Sequence, residues 1–338
     1  MDNLRFGMIG WGYWGPKIAR NLESIPHTSM TMVADLDKER LASIAVNQLG
    51  IRTTTNVEDV FTSDVDGVII AAPVRTHYHL AKQALLYGKH VLVEKPLTTS
   101  VEEAEELIAL AKQCKRVLMV GHTFEYSPAV NELRKLVHSG DLGKIYCVET
   151  ERVNLGLFRS DTNVIWDLAP HDVSILLYLF GKTPERITVQ AHAHLLPGIC
   201  DIAHLDLAFA DEMTAHIHVS WLHPCKIRRV TVIGDARMVV YDDTNPAEMI
   251  KVYNKGADIH ADPVVSYRYG AIAIPHIDWI EPLRLECEDY VNCIRTGAQP
   301  RANGEAGLGV VRVLAAAEAA LNRQNKSVVD APVGILKR

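Results

Sequence analysis

The stretch LRFGMIGWGYWGPKIARNL, residues 4–22, decides the fold of this chain. It opens with a short apolar run typical of a strand, which leads directly into the pattern G-x-G-x-x-G made by Gly10, Gly12 and Gly15. In such a loop the first glycine allows a tight turn, the second lets backbone approach a pyrophosphate, and the third permits close packing of helix on strand. The helix that follows offers unpaired N–H groups and a positive dipole end to phosphate. The stretch therefore predicts a dinucleotide-binding loop between a strand and a helix.

Asp35 favours this prediction over the simpler alternative, a glycine-rich turn without a ligand. It ends the next apolar run, 20 residues beyond Gly15, where a carboxylate can accept hydrogen bonds from the adenosine ribose. No arginine directly follows Asp35, and a 2′-phosphate would meet the negative charges of Asp35 and Asp37. We therefore predict NAD as the cofactor. NADP is the less favoured alternative, which stays open because Lys38 and Arg40 lie nearby in the sequence.

The first 125 residues alternate apolar runs with amphipathic stretches. Five runs are typical of strands: LRFGMIG, MTMVADL, DGVIIAAP, HVLVEK and VLMVGHTF. Strict alternation of strand and helix predicts a doubly wound parallel sheet with helices on both faces. Ligands of such sheets bind beyond the carboxyl ends of the strands. The predicted cofactor-binding residues are Gly10, Gly12, Tyr13, Trp14, Gly15, Asp35, Ala72, Pro73, His77, Glu94 and Lys95.

The pattern changes after about Ser127. Long runs now alternate apolar and polar residues, among them KIYCVETERV, RITVQAHAHLL, IAHLDLAFA, EMTAHIHVSWL and KIRRVTVIG. This period of two indicates strands with one buried and one polar face, and consecutive strands with short turns predict a mainly antiparallel sheet. Helices are predicted at SPAVNELRKLVHSG, DLAPHDVSILLYLFG, PLRLECEDYVNCIRTG and EAGLGVVRVLAAAEAALNRQ. The 338 residues therefore predict two domains, an α/β domain over residues 1–125 and an α+β domain over residues 126–338.

Lys95 ends the apolar run HVLVEK and is followed at once by Pro96. At the carboxyl edge of the sheet this lysine would stand near the reactive end of the cofactor. A lysine that is partly desolvated there, or close to other cations, can have a lowered pKa and take part in acid–base chemistry. The alternative is a strand-end lysine whose amine simply reaches water.

Asp167 and His171 form a second candidate pair in VIWDLAPHDVSILLYLFG. They are four residues apart and would share one face of a helix. A carboxylate beside an imidazole can fix its tautomer and raise its basicity. The alternative is structural, with Asp167 as the helix N-cap and His171 as an ordinary first-turn residue.

Composition excludes several classes of protein. The net charge of −6 argues against a general nucleic-acid binder, which would be basic. No apolar run approaches the roughly 18 residues of a membrane span, and the start MDNLRFGMIG lacks the features of a signal peptide. The six scattered cysteines form no C-x-x-C pair and indicate reduced thiols in a cytoplasmic protein. No metal site is predicted, because the histidine pairs in HYH, HAH and HIH have no carboxylate or cysteine at diagnostic spacing.

Three motifs together resemble the Gfo/Idh/MocA oxidoreductase family: the amino-terminal G-x-G-x-x-G, the EKP of residues 94–96, and D-x-x-x-H at Asp167 and His171. The resemblance covers nearly the whole chain. It implies a Rossmann domain followed by an open-faced sheet that often mediates dimers or tetramers. It implies that Lys95 polarises the reacting oxygen, that His171 removes the hydroxyl proton, and that Asp167 positions the sugar or orients the proton relay. A cis Lys95–Pro96 bond would aim Lys95 at the substrate.

Longer stretches, including GWGYWGPK and GHTFEYSPAV, resemble the branch of that family that oxidises C3 of UDP-N-acetylglucosamine or its uronic acid. This implies a UDP-sugar substrate and a partner 3-aminotransferase in amino-sugar biosynthesis. Glu125 departs from many members, which carry arginine or an apolar residue there, and its carboxylate would disfavour a uronate. Arginine forks suit a diphosphate or carboxylate, although Arg152 could project into solvent and Tyr126 could simply pack. The expected substrate-binding residues are Lys95, Tyr126, Arg152, Asn154, Arg159, Asp167 and His171.

Three other functions stay open at this point. The chain could be an inositol or free-sugar dehydrogenase of the same family, a non-catalytic NAD-binding regulator, or an NAD-dependent glycosidase that begins by oxidising C3. Retention of Lys95, Asp167 and His171 together favours an enzyme over the regulator. The glycosidase would release a free sugar with no net change in NADH.

Overall fold

The computed structural model describes residues 3–47, 50–259 and 264–324, which form two sheets and the helices packed on them. The first sheet is parallel throughout, with the strand order β3-β2-β1-β4-β5-β6. Its strands are β1 (Leu4–Ile9), β2 (Thr28–Ala34), β3 (Arg52–Thr54), β4 (Gly67–Ile70), β5 (His90–Glu94) and β6 (Leu118–Gly121). Its helices are α1 (Gly15–Glu23), α2 (Lys38–Asn47), α3 (Glu58–Thr62), α4 (His77–Leu86) and α5 (Val101–Cys114).

This sheet confirms the predicted doubly wound fold and adds one strand, β3. The predicted pattern missed β3 because its three residues, Arg52–Thr54, are polar and lie at an exposed edge. Strand order reverses between β1 and β4, and a crevice opens at the carboxyl ends of the strands at such a point. The cofactor loop predicted from Gly10–Gly15 begins there.

The second sheet has eight strands in the order β14-β13-β12-β11-β7-β10-β9-β8. It is mainly antiparallel, as predicted, but β7 and β10 pair in parallel. Its strands are β7 (Ile145–Val153), β8 (Arg186–His192), β9 (Ile202–Ala208), β10 (Thr214–Ser220), β11 (Ile227–Gly234), β12 (Met238–Asp242), β13 (Ile250–Ile259) and β14 (Val265–Ala273). The predicted strands end at β11, so β12, β13 and β14 are additions.

Four further helices complete the described chain: α6 (Pro128–His138), α7 (Val164–Phe180), α8 (Pro282–Thr296) and α9 (Gly304–Gln324). Helices α7 and α9 cover one face of the second sheet. Strand β9 shows the resulting pattern, because Ala203, Leu205 and Leu207 are buried while His204 and Asp206 between them are exposed. The other face of the sheet is therefore open, as the resemblance implied.

Helix α8 returns the chain to the first sheet. Its residues Cys287 and Tyr290 are fully buried and share a core with Phe6 and Met8 of β1. The division into residues 1–125 and 126–338 stays a prediction, but the core of the first sheet includes side chains from the second range.

Candidate active site

A groove with a volume of about 710 Å³ runs along the carboxyl edge of the first sheet. It is bounded on one side by the glycine-rich loop and on the other by the loop before α7 and the first turn of that helix. Most residues predicted to bind the cofactor line it, and three predicted substrate residues stand at one end. The predicted residues in its lining are Gly10, Gly12, Tyr13, Trp14, Asp35, Ala72, Pro73, His77, Glu94, Lys95, Arg159 and Asp167.

The three glycines of the loop fit the division of roles expected for a dinucleotide. A Cβ at Gly10 would lie 2.4 Å from the carbonyl oxygen of Ala71, and one at Gly15 would lie 2.6 Å from the carbonyl oxygen of Gly10. Both positions serve close backbone packing, and Gly15 does not line the groove. Above Gly12 the nearest atom is 3.9 Å away, on Arg40. That space, beside the first turn of α1, suits a phosphate of a dinucleotide.

The Asp35 carboxylate fastens the loop to the second strand. Its Oδ2 accepts a 2.6 Å hydrogen bond from the backbone N–H of Trp11, and its Oδ1 accepts one of 2.8 Å from that of Asp37. Arg40 pairs with both acids, at 3.2 Å from Asp37 and 3.7 Å from Asp35. The groove at this point therefore combines two carboxylates with one cation, and Asp35 keeps lone pairs for ribose hydroxyls.

Lys95 reaches from the end of β5 to the first turn of α7. Its Nζ donates a 2.7 Å hydrogen bond to the carbonyl oxygen of Asp167, and its peptide bond to Pro96 is cis. Burial lowers the pKa of Lys95, while the negative charges of Asp167 and Glu94 partly offset that effect. The amine is thus held over the groove end rather than in open water, which excludes the alternative of a simple solvent-facing lysine.

Asp167 is not the helix N-cap. Asn163 takes that place, since its Oδ1 accepts hydrogen bonds from the backbone N–H groups of Ile165 and Trp166. The Asp167 carboxylate is held by Trp221, whose Nε1 donates at 3.0 Å, and lies 3.5 Å from Nε of Arg159. Sequence reasoning missed Trp221, although a tryptophan at the end of a buried strand needs a partner for its N–H.

His171 shares a helix face with Asp167, but no hydrogen bond between their side chains is found in the described residues. The predicted tautomer-fixing contact is therefore wrong for this arrangement. The His171 ring instead packs edge-on against Phe124, with 5.2 Å between centroids. Burial, reinforced by the positive charges of Lys95, Arg152 and Arg228, holds the pKa of His171 well below its usual value. The ring is therefore neutral at neutral pH and available to accept a proton.

Two predicted substrate contacts are corrected by the structure. Arg152 is 5% exposed, and its fork binds Asp172 at 2.8 and 3.2 Å. Tyr126 is 2% exposed, donates to Asp289 at 2.7 Å and accepts from the N–H of Ala302. Both side chains are buried, and their hydrogen-bonding groups are already bonded to residues distant in sequence. They are therefore structural contacts inside the protein.

The other predicted positions lie at or near the groove. Arg159 is half exposed beside Asp167, whereas Asn154 anchors the loop after β7, with its N–H on Ser220. His77 is buried, and its two ring nitrogens lie 2.8 and 2.9 Å from the carbonyl oxygens of Pro96 and Ala72. Burial lowers the pKa of His77. His77 therefore connects the segments that follow two strands, at the wall of the groove.

A group of desolvated acids lies behind Lys95. Burial raises the pKa of Glu94 to about 7 and that of Glu125 to about 7, and raises the pKa of Glu286 well above its usual value. Glu125 is 4% exposed and accepts a 2.7 Å hydrogen bond from Ser174. The Glu125 carboxyl is therefore enclosed by the protein, and the expectation that it disfavours a uronate stays a prediction.

Glu125 gives a testable dependence of stability on pH. Its pKa is raised from 4.5 to about 7 in the folded chain, so its stabilising protonated form is complete below pH 4.5 and is lost as pH rises through 7. We expect Glu125→Gln to gain up to about 3 kcal/mol in unfolding free energy relative to the wild type between pH 4.5 and pH 8. Denaturant unfolding at both pH values measures this, with the exposed Glu185→Gln as control. The prediction would be contradicted if the difference in unfolding free energy between Glu125→Gln and the wild type were the same at pH 4.5 and at pH 8.

In the described part of the chain, the histidine pairs form no metal site and the cysteines form no disulfide. No group of three or more histidine, cysteine, aspartate or glutamate side chains there could hold a metal ion. His204 and His218 stack with 4.3 Å between ring centroids on the open sheet face, beside an ion pair of His216 and Asp206. All six cysteines are free thiols. No helix in the described ranges is long and apolar enough to cross a membrane.

Comparisons with known proteins agree with this geometry. Residues 4–122 match the model of an oxidoreductase family with an NAD-binding Rossmann fold, and residues 130–240 match the Gfo/Idh/MocA C-terminal domain. UDP-N-acetylglucosamine 3-dehydrogenase of Acidithiobacillus ferrooxidans is 30% identical over 94% of this chain and 96% of its own length. Its crystal structure, compared separately, superposes with a TM-score of 0.78 at 29% identity, covering 96% of this chain and 100% of that one.

Two further relatives broaden the picture. Inositol 2-dehydrogenase of Corynebacterium glutamicum is 27% identical over 70% of this chain and 74% of its own length. GenD2 of gentamicin A biosynthesis, solved in complex with NAD, shares the fold with a TM-score of 0.82 at 24% identity, covering 96% of this chain and 95% of that one. Since family models match both halves and one relative is 30% identical along nearly its whole length, this chain belongs to the Gfo/Idh/MocA family of NAD-binding oxidoreductases.

Proposed function

We propose that this protein is an NAD-dependent dehydrogenase that oxidises a sugar hydroxyl, with C3 of UDP-N-acetylglucosamine or a related UDP-sugar as the favoured target. The observation that carries the proposal is that Lys95 and Asp167 line one end of the dinucleotide groove and are joined by a 2.7 Å hydrogen bond, with His171 one helical turn beyond Asp167 on α7. The similarity to UDP-N-acetylglucosamine 3-dehydrogenase along nearly the whole chain supports the substrate class.

The residues supply proton transfer and charge stabilisation. The Lys95 amine, held by the carbonyl oxygen of Asp167, donates to the reacting oxygen and stabilises the negative charge that develops there. The His171 ring, which is neutral at neutral pH, accepts the hydroxyl proton. The Asp167 carboxylate, fixed by Trp221, is placed to bind a neighbouring sugar hydroxyl. The nicotinamide dinucleotide, when bound, supplies the hydride acceptor.

Asp35 supports NAD rather than NADP as the cofactor. A 2′-phosphate would meet the carboxylates of Asp35 and Asp37, and Arg40, the nearby cation, is already paired with both. We expect the wild type to prefer NAD, and Asp35→Ser to lower that preference by roughly 10- to 100-fold, because about 1.5–3 kcal/mol of charged contact is lost. Binding constants for NADH and NADPH from fluorescence titration measure the ratio. An unaltered ratio in the variant would contradict the assignment.

An inositol or free-sugar dehydrogenase is the second candidate. The similarity to inositol 2-dehydrogenase favours it, and the same three residues would perform the same chemistry on a neutral polyol. A cytoplasmic homodimer or homotetramer formed through the open sheet, and a downstream 3-aminotransferase that uses the 3-oxo sugar, complete the proposal.

The deciding experiment follows NADH at 340 nm. Protein and NAD are offered UDP-N-acetylglucosamine, its uronic acid, inositol and glucose, with a 3-aminotransferase and glutamate to remove the 3-oxo product. NADH formed only with a UDP-sugar supports the proposal, and NADH formed only with inositol or glucose supports the second candidate. NAD binding without turnover of any of these would favour a regulator.

A further inference from the structure

We propose that Lys17, Lys226 and Arg228 form the binding site for the diphosphate of a sugar nucleotide, at the mouth of the active site and outside the cofactor groove. This inference rests on the proposed function and adds to it the place where the anionic half of the substrate binds. The three residues come from distant parts of the chain: Lys17 lies in α1, Lys226 directly precedes β11, and Arg228 lies in β11.

Lys17 is the part of this site contributed by the glycine-rich loop region. Its Nζ lies 3.3 Å from the ring centroid of Tyr13 and 5.0 Å from that of Trp14. Tyr13 is 74% exposed, and no carboxylate of the described chain lies within ion-pair distance of Lys17. Tyr13 and Trp14 line the cofactor groove but Lys17 does not. Within the described residues, the Lys17 ammonium is therefore a cation beside the groove that contacts aromatic rings and has no carboxylate counter-ion.

Arg228 lies on the inner face of the second sheet, next to Arg152. In the antiparallel pair of β7 and β11 it stands directly opposite Arg152, so the two side chains share one face of the sheet. That is the face covered by α7, which carries His171. Arg228 places one nitrogen 3.2 Å from Asp243, and its side chain is 39% exposed. Its remaining N–H groups are thus available at the solvent edge.

Lys226 stands beside Arg228 and completes the positive cluster. It is exposed, and within the described residues its side chain forms neither an ion pair nor a hydrogen bond. Lys17 is the main cause of the lowered pKa of Tyr13, and the charges of Arg228 and Lys226 lower it further. The charge of Arg228 also acts on His171, so Arg228 lies within electrostatic range of both Tyr13 and the proton acceptor.

This arrangement selects an anionic substrate. Two ammonium groups and an arginine fork suit a diphosphate, and the exposed Tyr13 and Trp14 rings offer stacking surfaces to a base. The whole chain carries a net charge of −6, so this local excess of positive charge does not follow from composition. Inositol and free sugars carry no anionic group that this positive cluster could bind. The cluster therefore favours a nucleoside diphosphate sugar whose sugar reaches Lys95 and His171.

The test measures UDP binding by calorimetry to protein saturated with NADH. We expect Lys226→Ala and Lys17→Gln each to weaken UDP binding by roughly ten-fold or more, because each removes a charged contact to phosphate. Arg228→Lys should retain part of the affinity. The matched control is Arg229→Ala, since Arg229 is the next residue of β11, points to the open face and pairs with Asp242. NADH affinity should be unchanged in all four variants.

The outcomes separate this inference from the proposed function. Equal UDP affinity in the wild type, Lys226→Ala and Lys17→Gln overturns the site, even if a UDP-sugar is oxidised. UDP binding that falls in these variants supports the site, even if no UDP-sugar is oxidised and the proposed reaction fails. No UDP binding by the wild type overturns the site. Turnover of inositol or glucose in the same protein would then show that the reaction class stands without an anionic substrate.

Discussion

Replacing Lys95 with methionine should reduce kcat about 10³-fold while leaving NAD binding intact. The amine is the donor that the structure holds at the groove end, 2.7 Å from the carbonyl oxygen of Asp167. Methionine keeps the length and apolar stem of the side chain but cannot donate to an oxygen that gains negative charge. Loss of one such group typically costs 10²- to 10⁴-fold in rate. Steady-state rates with the substrate identified by the 340 nm assay measure the effect, and calorimetry measures NAD binding.

Lys89, at the other end of the same strand, offers a matched control. It directly precedes β5 and donates to the carbonyl oxygens of Ser63 and Val65 at the opposite edge of the sheet. Lys89→Met should cost some stability but leave kcat per folded molecule close to that of the wild type. Lys95→Met that folds, binds NAD and turns over at the wild-type rate would remove Lys95 from the mechanism. Equal loss of kcat in both variants would indicate a general effect on the strand.

Replacing Arg152 with alanine should lower the free energy of unfolding by about 3–5 kcal/mol, because it leaves a buried carboxylate without its partner. Arg152 and Asp172 are 5% and 1% exposed, and their fork is bidentate. Burial already raises the pKa of Asp172, and the Arg152 charge opposes that rise. The pair joins β7 to α7 at Asp172, the residue after His171. We therefore expect the loss in stability to exceed any effect on substrate affinity. Denaturant unfolding and KM measure the two effects.

Two further variants make the Arg152 result interpretable. Arg229→Ala removes an exposed pair with Asp242 and should cost only about 0–1 kcal/mol. The double variant Arg152→Met with Asp172→Leu should recover much of the stability, because apolar side chains of similar size remove the unpaired charge. A stable Arg152→Ala protein with a strongly raised KM would instead restore Arg152 as a substrate contact.

The local sequence pattern was sufficient to predict most of the first sheet. Gly10, Gly12, Gly15 and Asp35 follow from the requirements of a tight turn, a close phosphate approach and a ribose contact, and all four stand where those requirements place them. The position of Lys95 was predictable as well, because an apolar run that ends in lysine at the carboxyl edge of a parallel sheet places that lysine on the ligand side, although the sequence left open whether its amine simply reaches water. Strand β3 was not, because three polar residues carry no apolar pattern.

Residues whose role depends on a distant partner were the ones that the sequence could not assign. Arg152 and Tyr126 have the chemistry of substrate contacts, but Asp172 and Asp289 satisfy them in the interior. Trp221 looked like an ordinary core residue, yet its Nε1 holds the Asp167 carboxylate. Such assignments require knowing how β7 and β10 pack against α7 in the folded protein.

The sequence by itself determined the doubly wound sheet and the glycine-rich loop, since each depends on the order and spacing of neighbouring residues, whereas the proposed roles of Lys95, Asp167 and His171 come from the family resemblance. Only the tertiary structure decided which charges are buried and paired and which face solvent. Burial and pairing depend on elements that lie far apart in the chain, as with Tyr126 and its partner Asp289 of α8. Those long-range contacts set the pKa values and the electrostatic character of the site.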